Sequence, residues 1–120
     1  MKRGMIVDDA TVMRVRLRDI LASKYVIVAE AENGNQAIEL YRQNRPDFVT
    51  MDITMAELNG TRALSLLLSE FPDAKIVMVS AVGQKQQVFE TLRIGAKDFI
   101  IKPFEPDRVL LAIDRLFGCP

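Results

Sequence analysis

The 120 residues carry 16 basic and 16 acidic side chains, no histidine and a single cysteine, and 49% of them are hydrophobic. One domain typically spans about 100–200 residues, and a chain of this size can bury a core without disulfides. Without histidine there is no Ser-His-Asp or Cys-His catalysis and no histidine metal site; one cysteine excludes a structural zinc site, and balanced charge gives no overall field toward nucleic acid or an anionic membrane.

Met5-Ile6-Val7 reads as a short buried strand, too short for the apolar core of a signal peptide. Met13, Leu17, Ile20 and Leu21 are then spaced for one face of a helix that begins near Thr11. Tyr25-Val26-Ile27-Val28-Ala29 is rich in β-formers, and Glu30-Ala31-Glu32-Asn33-Gly34 after it reads as a turn. Ala37, Ile38 and Tyr41 mark a second helix, and Phe48-Val49-Thr50-Met51 a third strand between Pro46 and Asp52. Leu64, Leu67, Leu68 and Phe71 give a third helix, stopped by Pro72. Ile76-Val77-Met78-Val79 is a fourth strand; Val88, Phe89 and Leu92 mark a fourth helix, with Gly95 suited to a left-handed cap. Phe99-Ile100-Ile101 is a fifth strand ended by Lys102-Pro103, and Val109, Ile113, Leu116 and Phe117 make a last helix before Gly118.

Five strand–helix units in alternation predict an α/β fold, a parallel sheet covered on both faces with right-handed crossovers. The continuous apolar strand runs agree with burial on both sides. No stretch approaches the roughly 20 apolar residues of a membrane span. A single cytoplasmic domain over residues 1–120, without membrane or nucleic-acid contact, is the expectation.

Open α/β sheets bind ligands beyond the carboxyl ends of their strands. There the sequence places Asp8 and Asp9 after strand one, Asp52 after strand three, Ser80 after strand four and Lys102 after strand five. Carboxylates crowded together repel, and one of them should hold its proton more tightly. A hard divalent cation relieves that conflict, and an all-oxygen ligand set suits magnesium, which also accepts phosphate oxygens. A carboxylate in such a site can attack phosphorus and become an aspartyl phosphate, with the metal and a lysine offsetting charge on the transferred oxygens. Singly, each residue also fits a plainer role. Asp8 or Asp9 fits a cap for the first helix, Ser80 a cap for the fourth, Asp52 a polar strand end, and Lys102-Pro103 a strand stop. Their convergence on one edge favours a functional site.

At these residues the sequence resembles response-regulator receiver domains, most of all the single-domain chemotaxis regulators of the CheY type. The resemblance runs from Met5 to Phe117. It is carried by Ile6-Val7-Asp8-Asp9, Asn33-Gly34, Pro46-Asp47-Phe48-Val49-Thr50-Met51-Asp52, Val79-Ser80-Ala81, Gly95-Ala96-Lys97-Asp98-Phe99 and Ile101-Lys102-Pro103-Phe104. It implies a flavodoxin-like, doubly wound five-stranded sheet in the order 2-1-3-4-5 with five helices. It also implies that Asp52 accepts the phosphoryl group and that Asp9, Asp52 and the Thr54 carbonyl ligate Mg2+, with Asp8 acting through metal-bound water. Lys102 would contact phosphoryl oxygens, Ser80 would be the switch hydroxyl, Phe99 the aromatic that follows it, and Lys102-Pro103 a cis peptide. The implied protein is a signalling switch rather than an enzyme with substrate turnover. A sensor histidine kinase would be its donor, and the flagellar motor switch its target, through the surface of the fourth helix, fifth strand and last helix.

The sequence departs from that pattern at three places. Ala56 replaces a usual proline, which predicts a more mobile loop before Gly60; Phe99 stands where some members have tyrosine; and neither Thr54 nor Val82 offers an amide or carboxylate to position water. The last of these predicts slow self-hydrolysis of the aspartyl phosphate. Gln84-Lys85-Gln86-Gln87 reads equally as a remodelling segment or a solvated helix start; Arg14 and Arg18 share a helix face, which is more often solvated than a partner patch. Two alternative readings remain at this point: the receiver of a longer transcriptional regulator, and an aspartyl-nucleophile phosphatase. The second usually carries an aspartate two residues after the nucleophile, where this chain has Thr54.

Overall fold

The computed structural model describes residues 1–55 and 57–118. Ala56, on which the expectation of a mobile loop rests, and Cys119 lie outside them. The elements alternate in chain order: β1 (Arg3–Val7), α1 (Thr11–Leu21), β2 (Val26–Ala31), α2 (Gly34–Asn44) and β3 (Phe48–Asp52), then α3 (Gly60–Glu70), β4 (Ile76–Ser80), α4 (Lys85–Ile94), β5 (Asp98–Ile101) and α5 (Pro106–Leu116). All paired strands are parallel and the order is β2-β1-β3-β4-β5. The expected α/β topology is the observed one.

Alternation of side chains along the strands divides the core in two. Met5, Val7, Ile76 and Met78 pack on one face with Ala37, Leu64, Leu67 and Val88 from α2, α3 and α4. Ile6, Val77 and Val79 pack on the other with Leu17, Leu21, Val109 and Ile113 from α1 and α5. β3 and β4, with neighbours on both sides, are buried throughout, whereas the edge strand β2 is buried only at Ala31. β2 also runs further than the sequence suggests. Ala31 is fully buried and its carbonyl accepts the Asp8 N–H at 3.0 Å, so the ladder takes in Glu30 and Ala31, the first two residues read as a turn.

Two helical faces differ from the sequence reading. On α4 the buried residues are Val88 and Thr91, while Phe89 is 53% exposed. One residue is about 100° of helical rotation, so Phe89 cannot share the face of Val88 and Thr91. The Thr91 hydroxyl returns to the Val88 carbonyl at 2.7 Å, which lets a polar side chain occupy the core face. On α1 the buried residues are Arg14, Leu17 and Leu21. Arg14 is therefore no part of a solvated face. Gly95 ends α4 at φ +139°, positive but outside the left-handed helical region expected there.

Candidate functional site

β1 and β3 are neighbours in the middle of the sheet, so the residues leaving them meet at one edge. Asp8 follows β1 and is 1% exposed; Asp9 beside it is open to solvent; Asp52 closes β3 and is 5% exposed. Single carboxylate oxygens of all three lie within 4.8 Å of one another. From β5, Lys102 brings its Nζ to 3.1 Å from both Asp8 Oδ2 and Asp52 Oδ2, with hydrogen-bond geometry toward Asp52. Asp8 Oδ2 is among the buried polar atoms that have no hydrogen bond among the described residues. Ser80, buried at the end of β4, and the cis Lys102–Pro103 peptide complete the edge. Asp8, Asp9, Asp52 and Lys102 thus converge, Thr54 adjoins them through its N–H, 3.3 Å from Asp52 Oδ1, and Ser80 closes the neighbouring strand, whereas Phe99 stands apart. Phe99 lies half-buried opposite Met78, two register steps before the Ser80–Ile101 pair.

The plainer roles of Asp8, Asp9 and Ser80 are not the ones seen. The first residue of the α1 cap is Ala10, and Asp8 Oδ1 instead closes a turn by accepting the Ala10 N–H at 2.8 Å. Ser80 remains within β4, and the residue preceding α4 is Gln84.

Electrostatics follow from the crowding. Burial raises the Asp52 carboxyl above the usual aspartate range, and the neighbouring Asp8 charge pushes the same way; Lys102 and the Thr54 N–H, at 3.3 Å from Oδ1, oppose them. Burial acts to lower the Lys102 ammonium, but Asp52 and Asp8 outweigh it and hold it above the ordinary lysine value. Three carboxylates against one ammonium leave an excess of negative charge that a divalent cation matches. The buried Asp8 Oδ2, ion-paired with Lys102 but making no hydrogen bond, sits within that oxygen-only set, and a hard cation fits it.

The local sequence explains how the edge is held. Gly60, the first residue of α3, lies so close to β3 that a Cβ there would fall 2.0 Å from the Asp52 carbonyl oxygen. Only glycine lets α3 start against the strand end, where the Gly60 N–H donates to the Ile53 carbonyl at 2.8 Å. Asn59 caps that helix by accepting the Arg62 N–H at 2.9 Å.

Two contributors escape the sequence reading. Arg14 Nη1 donates to the Asp8 carbonyl at 2.6 Å, and its guanidinium also reaches the Thr11 hydroxyl at 3.2 Å and, as ion pairs, Glu30 at 3.6 Å and Glu32 at 3.7 Å. It braces the loop that presents Asp8 and Asp9. A signal existed: residue 14 precedes Leu17 and Leu21 by three and seven positions, on the core face. Arg18, from the same helix, is exposed and pairs with Glu30 at 2.8 Å. Gln84 is the second. Its Nε2 donates to Thr54 Oγ1 at 2.6 Å and its Oε1 accepts the Ala81 N–H at 2.7 Å. The orientation is fixed by chemistry, because a backbone N–H can only donate. A carboxamide therefore stands at the rim of the site even though positions 54 and 82 lack one. Beyond Gln84, Val82, Val88, Phe89, Phe99 and Ile101 line an apolar groove of about 290 Å³ that begins at Ser80. Arg108 from α5 donates to the Phe99 carbonyl at 2.8 Å along its border.

Residues 5–114 match the response regulator receiver domain. The chain belongs to that family. This receiver is 48% identical over 116 residues to the chemotaxis protein CheY of Thermotoga maritima, covering 96% of this chain and 97% of the other. It is 51% identical over 114 residues to CheY of Bacillus subtilis, covering 94% and 95%. Among solved structures, a chain of the CheX-CheY-BeF3-Mg+2 complex from Borrelia burgdorferi aligns with a TM-score of 0.93 at 33% identity, over 98% of the receiver and 90% of that chain. Among the described residues no helix is long and apolar enough to cross a membrane.

Proposed function

We propose that this receiver accepts a phosphoryl group on Asp52 from a sensor histidine kinase and, in that state, engages a protein target, the flagellar motor switch of a chemotaxis system. The observation that carries the reading is the meeting of Asp8, Asp9 and Asp52 within 4.8 Å beside one lysine ammonium. The 48% and 51% identity to two CheY proteins supports the chemotactic part.

In the step, an Asp52 carboxylate oxygen forms a bond to phosphorus while the bond from phosphorus to the donor's imidazole nitrogen breaks. The electron pair leaves with that nitrogen, which takes up a proton from water. Asp8, Asp9, Asp52 and the Thr54 carbonyl are the groups that would hold magnesium. When bound, the ion supplies positive charge to the transferred oxygens. Lys102, already 3.1 Å from Asp52 Oδ2, supplies the second positive charge on the protein side. Ser80, buried beside the acceptor, donates its hydroxyl to the added oxygens, and its movement frees volume for Phe99. The apolar groove of Val82, Val88, Phe89, Phe99 and Ile101 then changes shape, and that surface is the output. The chain itself turns over no separate substrate.

Transfer of radiolabelled phosphoryl from an autophosphorylated histidine kinase tests this reading. Label should pass to the receiver in magnesium, stop with excess chelator, and stay on the kinase when the acceptor is Asp52→Asn. Label on the Asp52→Asn protein would overturn it.

A further inference from the structure

Asp52 pairs in register with Val79 across β3 and β4, and the Ile53 N–H continues the ladder to the Val79 carbonyl at 3.0 Å. Thr54 and Ala81 each lie two residues beyond that pair, so they face each other where the strands end. Gln84 spans the gap. Its carboxamide accepts from the Ala81 N–H at 2.7 Å and donates to Thr54 Oγ1 at 2.6 Å, joining the loop after Asp52 to the loop before α4. Unlike Asn33 and Asn59, which cap the helices they precede, Gln84 turns its side chain back toward the site.

A phosphoryl group on Asp52 brings three strong acceptor oxygens and needs donors aimed at it. The Ala81 N–H is the backbone donor next after Ser80, and Gln84 Oε1 already occupies it. We propose that Gln84 is a positioning residue that stands in for a phosphoryl oxygen at the Ala81 N–H and latches the β4–α4 loop onto the Thr54 loop until Asp52 is modified. The inference rests on the phosphoacceptor reading of Asp52. On modification the phosphoryl oxygen takes the Ala81 N–H, Gln84 Oε1 is displaced, and its bond to Thr54 is lost with it. The loop has room to respond. Gly83 sits at φ +94° with nothing within 4 Å of where a Cβ would be, and Val82 is 80% exposed. Because Gln84 leads directly into α4, its release reaches Val88 and Phe89 on the groove without passing through Ser80 or Phe99.

The test compares wild type, Gln84→Ala and Thr54→Val by NMR amide exchange and by titration with beryllofluoride, a phosphoryl stand-in, in magnesium. In the free proteins the Ala81 amide should exchange faster in both variants, more so in Gln84→Ala. Net hydrogen bonds are modest, so beryllofluoride should bind Gln84→Ala about three- to tenfold more tightly than wild type, and Thr54→Val by a smaller factor in the same direction. With beryllofluoride bound, Ala81 should be equally protected in all three, which a residue that merely stiffens the loop would not produce. An Ala81 amide as protected in free Gln84→Ala as in wild type overturns the latch, as does unchanged or weaker beryllofluoride affinity. If wild type itself takes up no beryllofluoride, the phosphoacceptor reading fails and the competition falls with it. The free-state exchange result still shows separately whether the latch exists.

Discussion

Asp52 and Asp114 each meet one lysine ammonium, Lys102 at 3.1 Å and Lys24 at 2.7 Å. Lys24 and the Tyr25 hydroxyl both donate to Asp114, and they hold its carboxyl below the usual aspartate range. Asp52 is held above that range, by burial first and then by Asp8. The two pairs differ in their company. Asp114 is an ordinary ion pair between α5 and the α1–β2 turn, with donors to spare. Asp52 shares its single lysine with a second buried carboxylate. One region is stabilised by being ionised, and the other retains a conflict that added positive charge would relieve. That conflict is the physical content of the candidate site.

Removing the lysine shared by Asp8 and Asp52 should separate the two regions most. Lys102→Met leaves Asp8 and Asp52 facing each other without a cation, and it should cost about 2–4 kcal/mol at neutral pH in urea unfolding, somewhat below a fully buried pair stripped of one partner because Lys102 is itself 23% exposed. The deficit should shrink as pH falls, because Asp52, whose carboxyl is already raised, takes up a proton and the repulsion ends. Asp114→Asn should cost less, about 1–2 kcal/mol, since the pair is partly exposed. Its sign with pH is fixed by the lowered folded value. Stability from Asp114 is present above the ordinary carboxylate range and is lost as pH falls through that lowered value. Wild type and variant should therefore converge in acid. Asp52→Asn should do the reverse of Asp114→Asn. A raised carboxyl costs stability wherever it is ionised and nothing once both states are protonated, so the metal-free variant should be more stable than wild type by about 0.5–1 kcal/mol at neutral pH, within the usual range for one substitution. Magnesium should narrow that gap by stabilising wild type more, read as a larger shift in Tm on adding the ion. A metal-free Asp52→Asn protein less stable than wild type would show that Lys102 outweighs the crowding.

The strand-end residues were legible in the sequence because each follows an apolar run directly: Asp8 after Met5-Ile6-Val7, Asp52 after Phe48-Val49-Thr50-Met51, Lys102 after Phe99-Ile100-Ile101. Parallel strands then carry their ends to one edge whatever the detail of the loops. Arg14 was less visible, since an arginine on a core face looks like a break in the pattern until the Asp8 carbonyl is found beneath it. Phe89 misled because hydrophobicity alone cannot distinguish a core face from a groove. Gln84 was legible only as part of a polar segment before the fourth helix, not as a bridge. Its contact with Thr54 spans 30 positions and depends on the Asp52–Val79 register, which neither loop encodes by itself.

Everything proposed for the carboxylate edge depends on Asp52 taking up a phosphoryl group. Intact mass after incubation with acetyl phosphate tests it most directly, with magnesium, with chelator, and with Asp52→Asn. One phosphoryl adduct that requires magnesium and is absent from the variant is expected. A folded wild-type protein that takes up no adduct in magnesium, or an adduct that persists in Asp52→Asn, would contradict it.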